Sequence, residues 1–165
     1  MLGYLLDGHN LSPLFDTSVK PISFAEDPDE HVPDNGSIVY SIWDKDDNFI
    51  YIGFGGTNQL PEKRDPRKII SSHASGMRML DVFCMLVFDY FVVPSLVAEG
   101  AYEPKKFELN RRTKDFIRSN LSYRFLSFKT DDSNEIVVNL VDKIRDGELG
   151  ITPKLNRRGP WIQDD

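Results

Sequence analysis

A chain of 165 residues, 40% hydrophobic and 28% charged, is long enough for one domain whose core closes without disulfide or metal staples. A formal charge of -6 excludes a chain that grips polyanions over its whole surface, because non-specific nucleic-acid affinity comes from neutralising phosphates. One cysteine excludes an internal disulfide, and its place in an apolar run makes Cys84 a small core residue of a protein kept in a reducing compartment.

The opening MLGYLLDGHN lacks the basic start and small-residue cleavage site of a signal peptide. The longest apolar stretch, Val82 to Val93, is interrupted by Asp89 and is too short to span a bilayer. A soluble cytoplasmic protein with no membrane partner is expected. The charge is unevenly spread. Acids gather at Glu26, Asp27, Asp29 and Glu30, at Asp44, Asp46 and Asp47, and at Asp131 and Asp132. Bases gather at 63–68, at 105–118 and at 154–158, and would make one basic face if the fold brought them together.

In chain order, residues 1–35 hold four prolines and the first acidic patch. They read as an irregular arm packed on a domain of residues 36–165, with one short helix near Leu11 to Phe15. Ser37 to Trp43 and Phe49 to Phe54 are rich in β-branched and aromatic residues and flank the turn-forming Asp44 to Asn48. They read as a hairpin. A helix is expected to begin after Pro66 and end near Gly76. Met79 to Val93 is apolar almost throughout. Its length favours a buried helix ended by Pro94, although periodicity alone leaves a strand open. Asn110 to Asn120 reads as an amphipathic helix, and Leu121 to Phe128 as a third strand. Glu135 to Arg145 reads as a helix with Val137, Leu140, Val141 and Ile144 as its apolar stripe and Ser133 or Asn134 as cap. The sum is an α+β domain: a small antiparallel three-stranded sheet flanked by helices.

The hairpin carries the informative motif. Ile38-Val39-Tyr40 on the first strand faces Tyr51-Ile52-Gly53 on the second. His73 follows on a helix, in the run His73-Ala74-Ser75-Gly76-Met77-Arg78. Ser122-Tyr123-Arg124-Phe125 lies on the third strand, and Pro153-Lys154-Leu155-Asn156 closes the domain. Together these landmarks resemble the GIY-YIG nuclease superfamily over residues 34–157. The resemblance implies an endonuclease that hydrolyses phosphodiester bonds in DNA, in preference to RNA, with Mg²⁺ as cofactor. It implies Tyr40 as base or water-positioning group, with Tyr51 at the phosphate or supporting Tyr40. His73 joins them as base or phosphate contact, and an arginine from the first helix completes the catalytic set. Its candidates are Arg67 and Arg78. Glu135 is the candidate metal ligand. Lys68, Arg111, Arg112, Lys114 and Asn156 are candidate DNA contacts. Such hydrolysis needs an activated water and neutralisation of charge in the transition state. A phenol, with an ordinary pKa of ~10, serves as base only if its pKa is depressed or a metal assists.

Two positions depart from that family's pattern. Its arginine stands one turn before the histidine, and counting back four from His73 gives Ile69. Arg67 lies ~200° and Lys68 ~100° around the helix from that position. Its glutamate stands three residues before an apolar position near the end of the last helix, and counting back from Ile144 gives Val141. Asp142 points ~100° away, and Glu135 starts the helix, where it also favours the helix dipole. Either the register shifts by a residue or two at both places, or the chain lacks both catalytic side chains. The readings left open are the Mg²⁺-dependent endonuclease, intact or degenerate, a catalytically inactive module of the same fold that binds nucleic acid or a protein, and a small immunity-type partner using the acidic surface.

Overall fold

The structure is a computed structural model and describes residues 4–57, 63–101, 103–129 and 133–158. Its elements are β1 (Leu5–Leu6), β2 (His9–Asn10), α1 (Ser12–Phe15), β3 (Ile22–Ser23), β4 (Ser37–Asp44), β5 (Phe49–Gly55), α2 (Arg67–Ala74), α3 (Val82–Val87), α4 (Val93–Ala98), α5 (Lys106–Asn120), β6 (Leu121–Phe128) and α6 (Ser133–Arg145). A 3₁₀ turn spans Pro28–Glu30, and a π-helical turn, Phe88–Val92, joins α3 to α4. The fold class is α+β with antiparallel sheets, as expected. No helix among the described residues is long and apolar enough to cross a membrane.

The main sheet has four strands, ordered β3-β6-β4-β5, where the sequence suggested three. The additional strand is only two residues long, Ile22–Ser23, paired antiparallel with Tyr123 and Ser122. Two residues are too few to show an alternating pattern. The hairpin of β4 and β5 pairs Tyr40 with Gly53 and Ile42 with Tyr51, with a bulge where the Ile42–Tyr51 pair gives way to Trp43–Phe49. Side chains alternate across a strand, so Tyr40 and Tyr51 fall on the same face. The turn at Asp47 takes a left-handed φ of 58°. Asp44 accepts hydrogen bonds from the backbone of Asp46 and Asn48 and from the Asn48 amide, which holds the turn.

Both faces of the sheet are covered. One packs Ile38, Tyr40 and Ile42 against Phe24, Ile70, Phe83, Val87 and Ile117. The other packs Val39, Trp43 and Ile52 against Leu11, Leu14 and Phe15 and the α6 stripe Val137, Leu140, Val141 and Ile144. Each fully buried aliphatic side chain of that stripe stabilises the fold by roughly 1.5–3 kcal/mol relative to solvent exposure. The segment before residue 36 therefore contributes to both cores.

Gly76 ends α2 region packing as expected, at φ +69°, where an added Cβ would strike the backbone of Lys114 and Asn110 on α5. The run from Met79 differs from expectation in two ways. Pro94 does not stop the helix: it directly follows the π-helical turn Phe88–Val92, and the chain stays helical to Ala98. The run is also not uniformly buried, since Met79, Leu80, Val82 and Tyr90 are exposed while Phe83, Cys84, Val87 and Val92 are inside.

A candidate anion-binding cleft beside the hairpin

The edge strand β5 sets the position of the cleft. Its outer edge is capped by the segment following α6. Lys154 and Leu155 donate their backbone N–H groups to the carbonyls of Phe49 and Ile50. Asn156 continues the ladder with its side chain. Its Oδ1 accepts from Ile52 N at 3.2 Å and its Nδ2 donates to Ile52 O at 2.7 Å. Arg145, at the end of α6, donates from Nε to the Asn156 carbonyl at 2.7 Å, and so is held over the same edge.

Beside this edge opens a cleft of about 270 Å³. Tyr40, Tyr51, His73, Asp81, Arg145 and Asn156 supply its polar lining, together with Ser72 and the backbone at Gly53. The tyrosine rings lie 6.5 Å apart and nearly parallel, and the His73 ring meets both edge-on. Gly53 is required by this packing, because a Cβ there would run into the Tyr40 phenol.

A hydrogen-bonded chain crosses the floor. The Tyr40 hydroxyl lies 2.6 Å from His73 Nε2, and His73 Nδ1 lies 2.7 Å from Asp81 Oδ2. Asp81 also accepts from the Ser72 hydroxyl at 2.7 Å and from the backbone N–H of Cys84 at 3.2 Å, as the cap of α3. Burial works to raise the Asp81 carboxyl, but the bonds from His73, Ser72 and Cys84 outweigh it and hold it below its usual value. Asp81 is therefore ionised and accepts from His73 Nδ1, and His73 Nε2 shares a hydrogen bond with the Tyr40 hydroxyl. Burial, then the neighbouring Tyr51 and Asp81, push the Tyr40 phenol well above its ordinary value. Burial and Asp81 likewise raise Tyr51, against a smaller opposing pull from the Arg145 guanidinium. Both phenols hold their protons at neutral pH. This is opposite to the depression that a tyrosine base requires.

The remaining sequence candidates divide sharply. Asn156 lines the cleft, with its amide engaged by Ile52. Arg67 begins α2 but turns back, pairing with Asp65 at 2.8 Å and Asp29 at 3.6 Å. Arg78 donates to Asn110 and stacks 4.2 Å above the Phe88 ring. Lys68 and Arg111 are exposed, and neither is among the described residues of the cleft lining. Arg112 is tied to Glu99 and Glu108. Lys114 borders a separate groove with Arg118 on the other face of α2. Glu135 is exposed in the first turn of α6, outside the cleft.

What lines the cleft instead is informative. Ile69, one helical turn before His73, and Val141, one turn before Arg145, are both part of its wall. These are the two positions reached by counting back four residues from His73 and three from Ile144, where the resemblance to the GIY-YIG superfamily leads one to expect an arginine and a glutamate. Neither Arg67 nor Glu135 is among the described residues of the cleft lining. Nor does the donor set fit a resident Mg²⁺. Asp81 is the single carboxylate among the described lining residues, and its oxygens already accept three hydrogen bonds.

Two polar residues of the cleft lining escaped the sequence reading. Asp81 precedes an apolar run and looks like an ordinary helix cap, which it is as well. Arg145 looks like a basic residue in the last turn of a helix, favourable to the dipole. The available signal was its i, i+4 spacing from Val141. No protein-family model matches the chain, and no curated protein or solved structure matches it significantly.

Proposed function

We propose that the chain is a nucleic-acid-binding module on a GIY-YIG-like scaffold, which seats a backbone phosphate beside Arg145 without hydrolysing it. The observation that carries this reading is the apolar pair Ile69 and Val141, standing in the cleft wall where a nuclease of that kind needs a cation and a metal-binding carboxylate. Without them the cleft offers a binding surface rather than transition-state stabilisation. Arg145 supplies donors fixed through the Asn156 carbonyl, Tyr51 supplies a protonated hydroxyl, and Lys154 and Arg157 line an adjacent groove beside Phe49 of β5, while Arg158 is paired with Asp142. Affinity at this local patch is compatible with a net acidic chain, since only the phosphates in contact are neutralised.

The test is gel-shift or fluorescence anisotropy on short DNA at low salt. Binding by the native protein and its loss by about tenfold in Arg145→Ala support the reading, the size being that expected for one charge-assisted contact. Equal binding by both proteins overturns the assignment of Arg145. No binding by either one leaves a protein partner for the cleft and removes nucleic acid from the reading.

A second reading, the Mg²⁺-dependent endonuclease, is favoured by one observation: the Tyr40–His73–Asp81 chain provides an oriented route for a proton from the cleft floor to the imidazole. It predicts cleavage that the first reading does not.

A further inference from the structure

Beyond the cleft, the same capping segment forms one wall of a second groove, of about 530 Å³. Lys154 and Arg157 line it together with Tyr90, Asn48, Thr152 and Phe49. Arg157 and the Lys154 ammonium have no carboxylate partner among the described residues, and the ammonium lies 5.4 Å above the Phe91 ring. Tyr90 is 48% exposed. It projects from the π-helical turn Phe88–Val92, where the wider turn changes the phase of the helix, leaving Asp89 and Tyr90 outside while Val92 is buried. The carboxylate of nearby Asp44 is turned into its own tight turn and satisfied there.

An exposed aromatic face beside two cations that have no carboxylate partner among the described residues is the combination that holds a base and its flanking phosphates. Duplex DNA presents its phosphates outside but keeps its bases stacked within. A single strand presents both. We propose that this groove is a second nucleotide subsite for single-stranded nucleic acid: a base stacks on Tyr90 while the adjoining phosphates meet Lys154 and Arg157. The strand continues past residues 154–156 to Arg145 in the cleft. This inference rests on the nucleic-acid reading above and names the form of nucleic acid.

The experiment compares anisotropy of a fluorescent twelve-nucleotide dT strand with that of a twelve-base-pair duplex, for native protein, Tyr90→Ala, Tyr90→Phe, Lys154→Gln/Arg157→Gln and Arg145→Ala. The subsite requires tighter binding of the single strand than of the duplex. Tyr90→Ala is expected to weaken the single strand by about tenfold, with Tyr90→Phe close to native, because a base stacks on either ring. The double variant lowers the slope of log affinity against log salt by about 1.4, at ~0.7 per phosphate contact. Equal affinity for both DNA forms, or unchanged single-strand binding by Tyr90→Ala, overturns the subsite while an effect of Arg145→Ala leaves the cleft reading intact. If native protein binds neither DNA, both proposals fall together.

Discussion

The Tyr40 hydroxyl is hydrogen-bonded to Nε2 of His73 across 2.6 Å, joining the centre of strand β4 to helix α2. Asp81 completes the chain from the start of α3, so three elements meet in two hydrogen bonds that are sealed from water at His73 and Tyr40. The arrangement orients the imidazole, and burial keeps the phenol protonated. It is a structural clasp first, and a proton route only if something in the cleft accepts or supplies a proton.

Replacing Asp81 tests the clasp. Asp81→Asn leaves His73 without an ionic partner and is expected to cost on the order of 3 kcal/mol at neutral pH. The pH dependence follows from the depressed carboxyl. The unfolded chain binds the proton first, near the usual 3.8, and the folded chain only at lower pH. Stability from Asp81 is thus present above the usual value and is lost as pH falls through the depressed one. Urea titrations across the acid range should show a steeper fall for native protein than for Asp81→Asn; parallel curves would contradict it.

Gly53 faces Tyr40 across the hairpin and has no room for a methyl group. Gly53→Ala must push the phenol away from His73 and is expected to destabilise by about 2 kcal/mol, as overpacking does. The readout is thermal unfolding. A variant as stable as the native protein would mean that the ring relaxes freely.

Asn156 acts as an extra residue of the sheet through its amide. Asn156→Asp removes the donor to Ile52 O and sets a carboxylate against a carbonyl. A fall in melting temperature of roughly 3–10 °C is expected, for a loss of about 1–3 kcal/mol in a chain of this size. In Asn156→Ala, which also removes the acceptor of the Ile52 N–H, hydrogen exchange should speed up at the Ile52 amide; unaltered protection there would refute the capping role.

Cys84 is fully buried, its thiol 3.3 Å from the His73 carbonyl. Burial, then the Asp81 charge, push it up to about 12. Thiolate, the reactive form, is thereby suppressed. Native protein is expected to resist a thiol-modifying disulfide reagent at neutral pH and to react fully once unfolded. Rapid labelling of the folded chain would contradict the burial.

The hairpin and α6 were legible because their patterns are unambiguous. Ser37 to Trp43 is dense in strand-forming residues, and Val137, Leu140, Val141 and Ile144 recur at helical spacing. Strand β3 was not, being two residues long. The π turn and the continuation through Pro94 were hidden because a proline is read as a stop until its neighbours show that a π-helical turn precedes it. In the cleft, Tyr40, Tyr51, His73 and Asn156 were found because a motif names them. Arg67 and Arg78 were candidates by proximity in sequence, yet Asp65, Asp29, Asn110 and Phe88 draw their guanidinium groups elsewhere. Pairing of that kind depends on which surfaces meet after folding, and spacing along one helix does not reveal it.

Supercoiled plasmid incubated with the native protein and millimolar Mg²⁺ bears most directly on the meaning of Ile69 and Val141. The plasmid is expected to stay supercoiled, alone and in parallel with an Arg145→Ala control, while short DNA is still bound. Mg²⁺-dependent nicking that disappears in Tyr40→Phe would show that the cleft cuts phosphodiester bonds without an arginine or a glutamate at those two positions.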